Sequence, residues 1–196
     1  MNGSFREPPV LERLAGLYLQ LGELFRDSEE KQVEMFEKGA RLAKQALVLQ
    51  EDLADAHFYY AANLGRATQI KGVMASALVV AELKTHAERA VELKEDHAPA
   101  LHMLGRMLDE LPWFLGGDEE AALQYLQKAV SADEYDAHAR LDLAKFHLKR
   151  QDISSAIREL ERIISHPGPQ PSWSWRHQYR PEAERILKEF RIQKGA

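Results

Sequence analysis

Four stretches of this chain end in an acidic or proline stop and carry a small or apolar residue at one aligned position. They are EKGARLAKQALVLQED, LKTHAERAVELKED, EEAALQYLQKAVSADE and SSAIRELERIISHP, aligned on Ala46, Ala90, Ala129 and Ile163 at intervals of 44, 39 and 34 residues. A second helical pattern precedes each one: LERLAGLYLQL, AHFYYAANLGRA, ALHMLGRMLDEL and ARLDLAKFHLKR. A pair of short helices cannot bury its apolar face alone, so a recurring pair must stack on its neighbours. Nothing competes with helix: Ala, Leu, Glu, Lys and Arg dominate, and these are strong helix formers. Only Pro99 and Pro112 interrupt the interior.

The last interval equals the tetratricopeptide period of about 34 residues. Leu101, Leu104, Gly105 and Leu108 fit the first helix of that pattern, and Leu143, Ala144, His147, Ala156 and Leu160 fit the fourth unit. The expected fold is all-α: a tetratricopeptide-like, right-handed helical-repeat superhelix of about four helix pairs plus a C-terminal capping helix. Residues 1–196 are read as one domain, with units 8–50, 54–95, 98–133 and 136–167, a linker 168–179 and a capping helix 180–193. Ala183, Ile186, Leu187 and Phe190 form the apolar stripe of the cap. The nine helices are placed at 8–26, 29–49, 54–68, 72–94, 98–110, 118–131, 136–149, 152–165 and 180–193.

The third unit is broken by ELPWFLGG. Pro112 ends its first helix, because the residue before a proline is pushed out of the helical region. Gly105 lets the pair approach closely, and Trp113 and Phe114 are expected to cover an edge of the core. Gly116 and Gly117 before Asp118-Glu119-Glu120 suit a turn capped by Asp118; the rival reading is an anion held at the helix N-terminus.

Chemistry is bounded by what the chain lacks. It has no cysteine, which removes disulfides, thiolate metal sites and cysteine nucleophiles. None of its eight histidines has the H-E-x-x-H spacing of a helical zinc site. The formal net charge of −5 argues against a general nucleic-acid binder. No signal-peptide pattern opens the chain, and no apolar run approaches the roughly 20 residues of a membrane span. No catalytic constellation, cofactor or metal is expected. The compartment is read as the cytoplasm, or the periplasm if a signal peptide has been removed, and the oligomeric state is left open.

The first helices of such pairs line a concave face. With Ala62, Gly105 and Ala144 in register, that face presents Tyr59 and His102, then Asn63, Arg106 and Lys145, then Arg66 one turn on. Such a row can grip a carboxylate or an extended acidic peptide; the rival is a solvated face with intramolecular pairs such as Arg106 with Asp109 or Glu110. Lys71 either satisfies the last carbonyls of its helix or reaches the groove. In PSWSWRHQYRP, Trp173, Trp175 and Tyr179 pin the linker onto the stack, or else form a stacking surface with Arg176 and Arg180.

The strings Lys71-Gly72, LHMLGRMLDELPW and EEAALQYLQKA resemble the regulator of microtubule dynamics family and its bacterial relatives, over about residues 40 to 165. The resemblance implies a tetratricopeptide-like fold and an adaptor role without catalysis. Animal members are associated with microtubules and membrane contact, but their anchor and long tail have no counterpart here. The functional expectation is therefore a protein-interaction module that binds a peptide or protein partner in its groove. The alternative rests on a weaker similarity to the periplasmic helical-repeat subunit of tripartite solute transporters: an exported accessory that binds or passes a small ligand.

Overall fold

The computed structural model describes residues 7–170 and 172–195. The chain forms two compact units, 1–103 and 104–196. Every regular element among the described residues is helical.

The first unit holds α1 (Pro8–Leu24), α2 (Glu29–Leu49), α3 (Ala54–Lys71), α4 (Val73–Leu93) and the start of α5 (Ala98–Glu110). Helix α1 packs on α2, α2 on α3, α3 on α4, and α1 also reaches α3. Pro8 suits the first turn of α1, where its missing N–H costs nothing. Ser28 caps α2, its side chain accepting from the Lys31 N–H. Gly72, at φ +109°, ends α3 in a conformation that favours glycine.

Close approach within this unit is set by residues without side chains. A Cβ on Gly16 would come 2.7 Å from the Tyr59 ring, and one on Gly22 would come 2.2 Å from the Phe36 ring. A Cβ on Gly39 would stand 2.3 Å from Asn63 Oδ1. Asn63 is fully buried where α1, α2 and α3 meet. Its Nδ2 donates to the Ala15 carbonyl at 3.1 Å and to the Tyr59 carbonyl at 2.8 Å. Its Oδ1 has no conventional donor. The Gly39 α-hydrogen lies in the direction a Cβ would take, so a weak C–H···O contact faces that oxygen.

The second unit holds the rest of α5, a 3-10 turn (Trp113–Leu115), α6 (Glu119–Ala132), α7 (Ala137–Lys149), α8 (Ile153–Ser165) and α9 (Arg180–Gly195). Asp118, Asp136 and Asp152 cap α6, α7 and α8 by accepting backbone N–H groups. A Cβ on Gly105 would lie 2.8 Å from Leu126 Cγ, which is the close α5–α6 approach expected of that glycine. Ala137, Leu141, Ala144, Leu160, Ile163, Ala183, Ile186 and Leu187 form one core, so α9 does cap α7 and α8.

Trp175 fixes the segment before α9. It is buried in that core, sits in one wide π-helical turn (Trp175–Tyr179), and donates Nε1–H to the Ile163 carbonyl at 2.8 Å. Tyr179 stacks on His138 at 5.2 Å. Trp173 does not pin the segment; it is exposed and lies beside His177.

Two further expectations are corrected. Lys71 neither caps its helix nor lines a groove, because its ammonium is 2.5 Å from Glu37 on α2. Trp113 and Phe114 cover no core edge: they are 84% and 67% exposed.

Gly39→Ala tests the three-helix junction. Alanine gains roughly 1 kcal/mol in helix propensity. Overpacking a filled interior costs about 1–3 kcal/mol, and Asn63 is tethered to two carbonyls and cannot swing away. Chemical denaturation should therefore show a net loss of stability; a variant more stable than the parent would refute the tight junction.

Candidate functional site

The six residues expected along the concave row fall into different environments. Tyr59 is half-buried over Gly16, and burial beside Asp55 and Glu12 pushes its phenol above the ordinary range. Asn63 is interior and offers nothing to a partner. His102 is buried as well. Arg66 is exposed and paired with Glu23 at 2.5 Å. In the second unit, Arg106 holds Glu110 by a short contact, and its Nε is 3.5 Å from Asp142. Lys145 is 3.6 Å from Glu182 on α9. All three cations on accessible surface thus already hold a carboxylate. The intrahelical Arg106–Glu110 pair was foreseeable from its spacing, whereas Glu23, Asp142 and Glu182 are distant in sequence.

Further ion pairs surround the base of the Trp113 turn. Lys149 bridges Asp109 at 2.7 Å and Glu119 at 2.8 Å, and Arg150 holds Glu120 at 2.6 Å. The turn itself is well tied. Leu115 N–H and Gly117 N–H both donate to the Pro112 carbonyl, and Gly116 N–H donates to that of Trp113. Asp118 N–H donates to the Leu108 carbonyl. A Cβ on Gly117 would fall 1.8 Å from the Leu111 carbonyl oxygen, so only glycine fits there.

Two features of the first unit escaped the search by motif. One is a shallow recess of about 210 Å³ between α2 and α3, lined by Glu37, Ala40, Arg41, Lys44, Tyr60, Leu64 and Ala67. Its signal was the spacing of Glu37, Ala40, Arg41 and Lys44 along one helix face. Lys44 lies 5.7 Å over the Tyr60 ring, and Tyr60 donates its hydroxyl to Glu82 at 2.6 Å.

The other is a histidine pair joining α3 to α4. His57 Nδ1 and His86 Nδ1 are 2.8 Å apart, and His57 Nε2 is 2.9 Å from the Glu51 carbonyl. A carbonyl only accepts, so His57 carries its proton on Nε2. Its Nδ1 then accepts from His86 Nδ1–H, and the contact has room for one proton. Burial, then the neighbouring His57, lowers the His86 pKa; Glu82 opposes that shift and Lys44 adds to it. Arg89 holds the Glu51 carboxylate, which is 3.5 Å from His57.

The pH dependence follows from the sign. The native state binds protons at His86 less readily than the unfolded chain does. The stabilisation is therefore complete above the unfolded value of about 6.5 and is lost as pH falls through the lowered native value. The melting temperature should drop between pH 7 and pH 5, and His86→Gln should flatten that drop. Equal slopes in the two proteins would remove the pair from the account.

Helix pairs meeting at small residues, with an α9 cap, define a tetratricopeptide-like helical-repeat protein. A tetratricopeptide repeat model matches residues 114–173. The model described as Regulator of microtubule dynamics protein 1-3 matches residues 2–108, more than half of the chain, and the chain belongs to that family. Regulator of microtubule dynamics protein 1 of Bos taurus is 26% identical over 197 residues, covering 92% of this chain and 61% of the relative. The Mus musculus protein is 28% identical over 178 residues, covering 81% and 57%. The chain thus spans about three fifths of the length of the curated relatives it matches. Two crystal structures of MamA share the fold, at TM-scores of 0.52 and 0.50 and identities of 14% and 19%. They cover 89% and 90% of this chain, and 81% and 89% of their own. Among the described residues, no helix is long and apolar enough to cross a membrane.

Proposed function

We propose that this chain is a non-catalytic scaffold that binds an acidic segment of a protein partner. Its contacts are Arg106 and Lys145 in the second unit; Arg66 is a separate candidate contact in the first. One observation carries the reading: each of these partly exposed cations already holds a carboxylate. Exposed ion pairs are each worth about 0–1 kcal/mol. A partner carboxylate can therefore displace Glu182 from Lys145, at 3.6 Å the longest of these contacts to a cation, at small cost. Tyr59, half-buried over Gly16, is a candidate contact of the first unit, while Asn63 and His102 serve the interior.

The relatives are named as regulators of microtubule dynamics, which makes microtubules the first partner to assay. The Arg106→Glu/Lys145→Glu variant reverses one partly exposed and one exposed charge beside Glu110, Asp142 and Glu182, so its melting temperature is measured beside that of Arg106→Gln/Lys145→Gln, which removes both charges without adding repulsion. Microtubule co-sedimentation and quantitative capture from native lysate should then both be run on parent and variant. Partners held through the row should fall at least about tenfold in the variant, in line with reversal of charge-assisted contacts. An identical partner set in both proteins would defeat the reading.

A further inference from the structure

The Trp113 turn carries an exposed apolar tip next to acidic residues, and the α2–α3 recess carries an apolar floor next to cations. The turn displays Trp113, Phe114 and Leu115 at 84%, 67% and 56% exposure. The two rings meet edge to face, with centroids 6.0 Å apart. Exposed tips of apolar residues are commonly loose, but this one is held by four backbone hydrogen bonds and a position that admits only glycine. Little ordering entropy remains to be lost when it docks. Asp118, Glu119 and Glu120 follow it directly; Asp118 caps α6, while Glu119 and Glu120 are exposed and held by Lys149 and Arg150 in ion pairs that a second cation can exchange at small cost.

The recess has the opposite character. Ala40, Tyr60, Leu64 and Ala67 give it an apolar floor, and Arg41 and Lys44 stand at its rim. Glu37 also lies at the rim, held by Lys71 and 4.0 Å from Arg41. Lys44 has no carboxylate partner among the described residues, unlike the cations of the concave row. A volume of about 210 Å³ falls below the roughly 300 Å³ of the smallest drug-sized sites. It suits one large side chain rather than a small-molecule ligand. An aromatic ring entering it would meet Tyr60 and the two rim cations.

We propose that the recess of one copy receives the Trp113 knob of a second copy. Trp113 is the anchor, Phe114 covers the lip, and Arg41 and Lys44 face Glu119 and Glu120 of the incoming chain. Knob and recess are different surfaces, so the contact either closes as a reciprocal dimer, each copy seating the other's knob, or propagates into rings or filaments. It uses residues other than those of the cationic row and goes beyond the scaffold reading.

Sedimentation of the full chain from about 10 µM to about 1 mM, the range of weak contacts, tests the proposal. The parent should show mass rising with concentration above that of the monomer. Trp113→Ser and Arg41→Glu/Lys44→Glu alter exposed side chains, and each alone should weaken association at least about tenfold, as loss of an anchor does. An equimolar mixture of the two variants keeps one intact knob and one intact recess per pair, and should form heterodimers and nothing larger. The proposal is overturned by a parent that stays monomeric throughout, by assembly that survives Trp113→Ser, or by a mixture that remains monomeric. Flotation of a monomeric parent with phosphatidylcholine vesicles, lost in Trp113→Ser, would equally overturn it and assign the knob to a lipid surface.

Discussion

Helices stack in pairs only where one allows the other to come close, and in this chain that permission comes from residues with little or no side chain. Ala46, Ala90 and Ala129 are completely buried and Ile163 is almost so. In the first unit Gly16, Gly22 and Gly39 each face a larger group that fills the space their own side chain would have taken. Asn63 belongs to the same arrangement: its amide spans the gap that Gly39 opens and ties α3 to the backbone of α1. An unpaired buried amide costs about 1–3 kcal/mol, so the two carbonyl contacts of Asn63 are what make a polar residue tolerable at that depth. They also fix how far α1 can slide.

Outside this interior the chain is held by many cheap contacts. Charged pairs such as Arg66–Glu23, Lys149–Asp109 and Arg185–Glu189 join neighbouring helices or turns. Individually they add little in water. Their consequence is a surface on which most of these charges are already matched. This separates two kinds of cation. Arg106 and Lys145 hold carboxylates, while Lys44 is exposed and rests on an aromatic ring.

Much of the fold was legible because helix pairing leaves a periodic trace. The aligned small residues marked the buried crossings, Asp118 marked the start of α6, and Gly105 marked the tight approach to Leu126. The candidate site was less legible for two physical reasons. The burial of Asn63 depends on Gly39 and the Ala15 carbonyl, which lie 24 and 48 residues away along the chain. Trp113 and Phe114 misled because bulky apolar residues usually lie inside. Here Pro112 and two glycines turn them outward, a matter of backbone geometry that hydropathy does not record. The histidine pair left no metal-like spacing in the sequence, since His57 and His86 lie 29 residues apart and meet only across two helices.

The turn after α5 separates shape from chemistry along six consecutive residues. Pro112, Gly116 and Gly117 set its backbone, and Gly117 tolerates no replacement. Trp113, Phe114 and Leu115 contribute almost nothing to the interior. Their identities are therefore free to drift without endangering the fold, whereas their position is not. A lineage carrying this turn can change what it touches one side chain at a time, on a mount that stays the same.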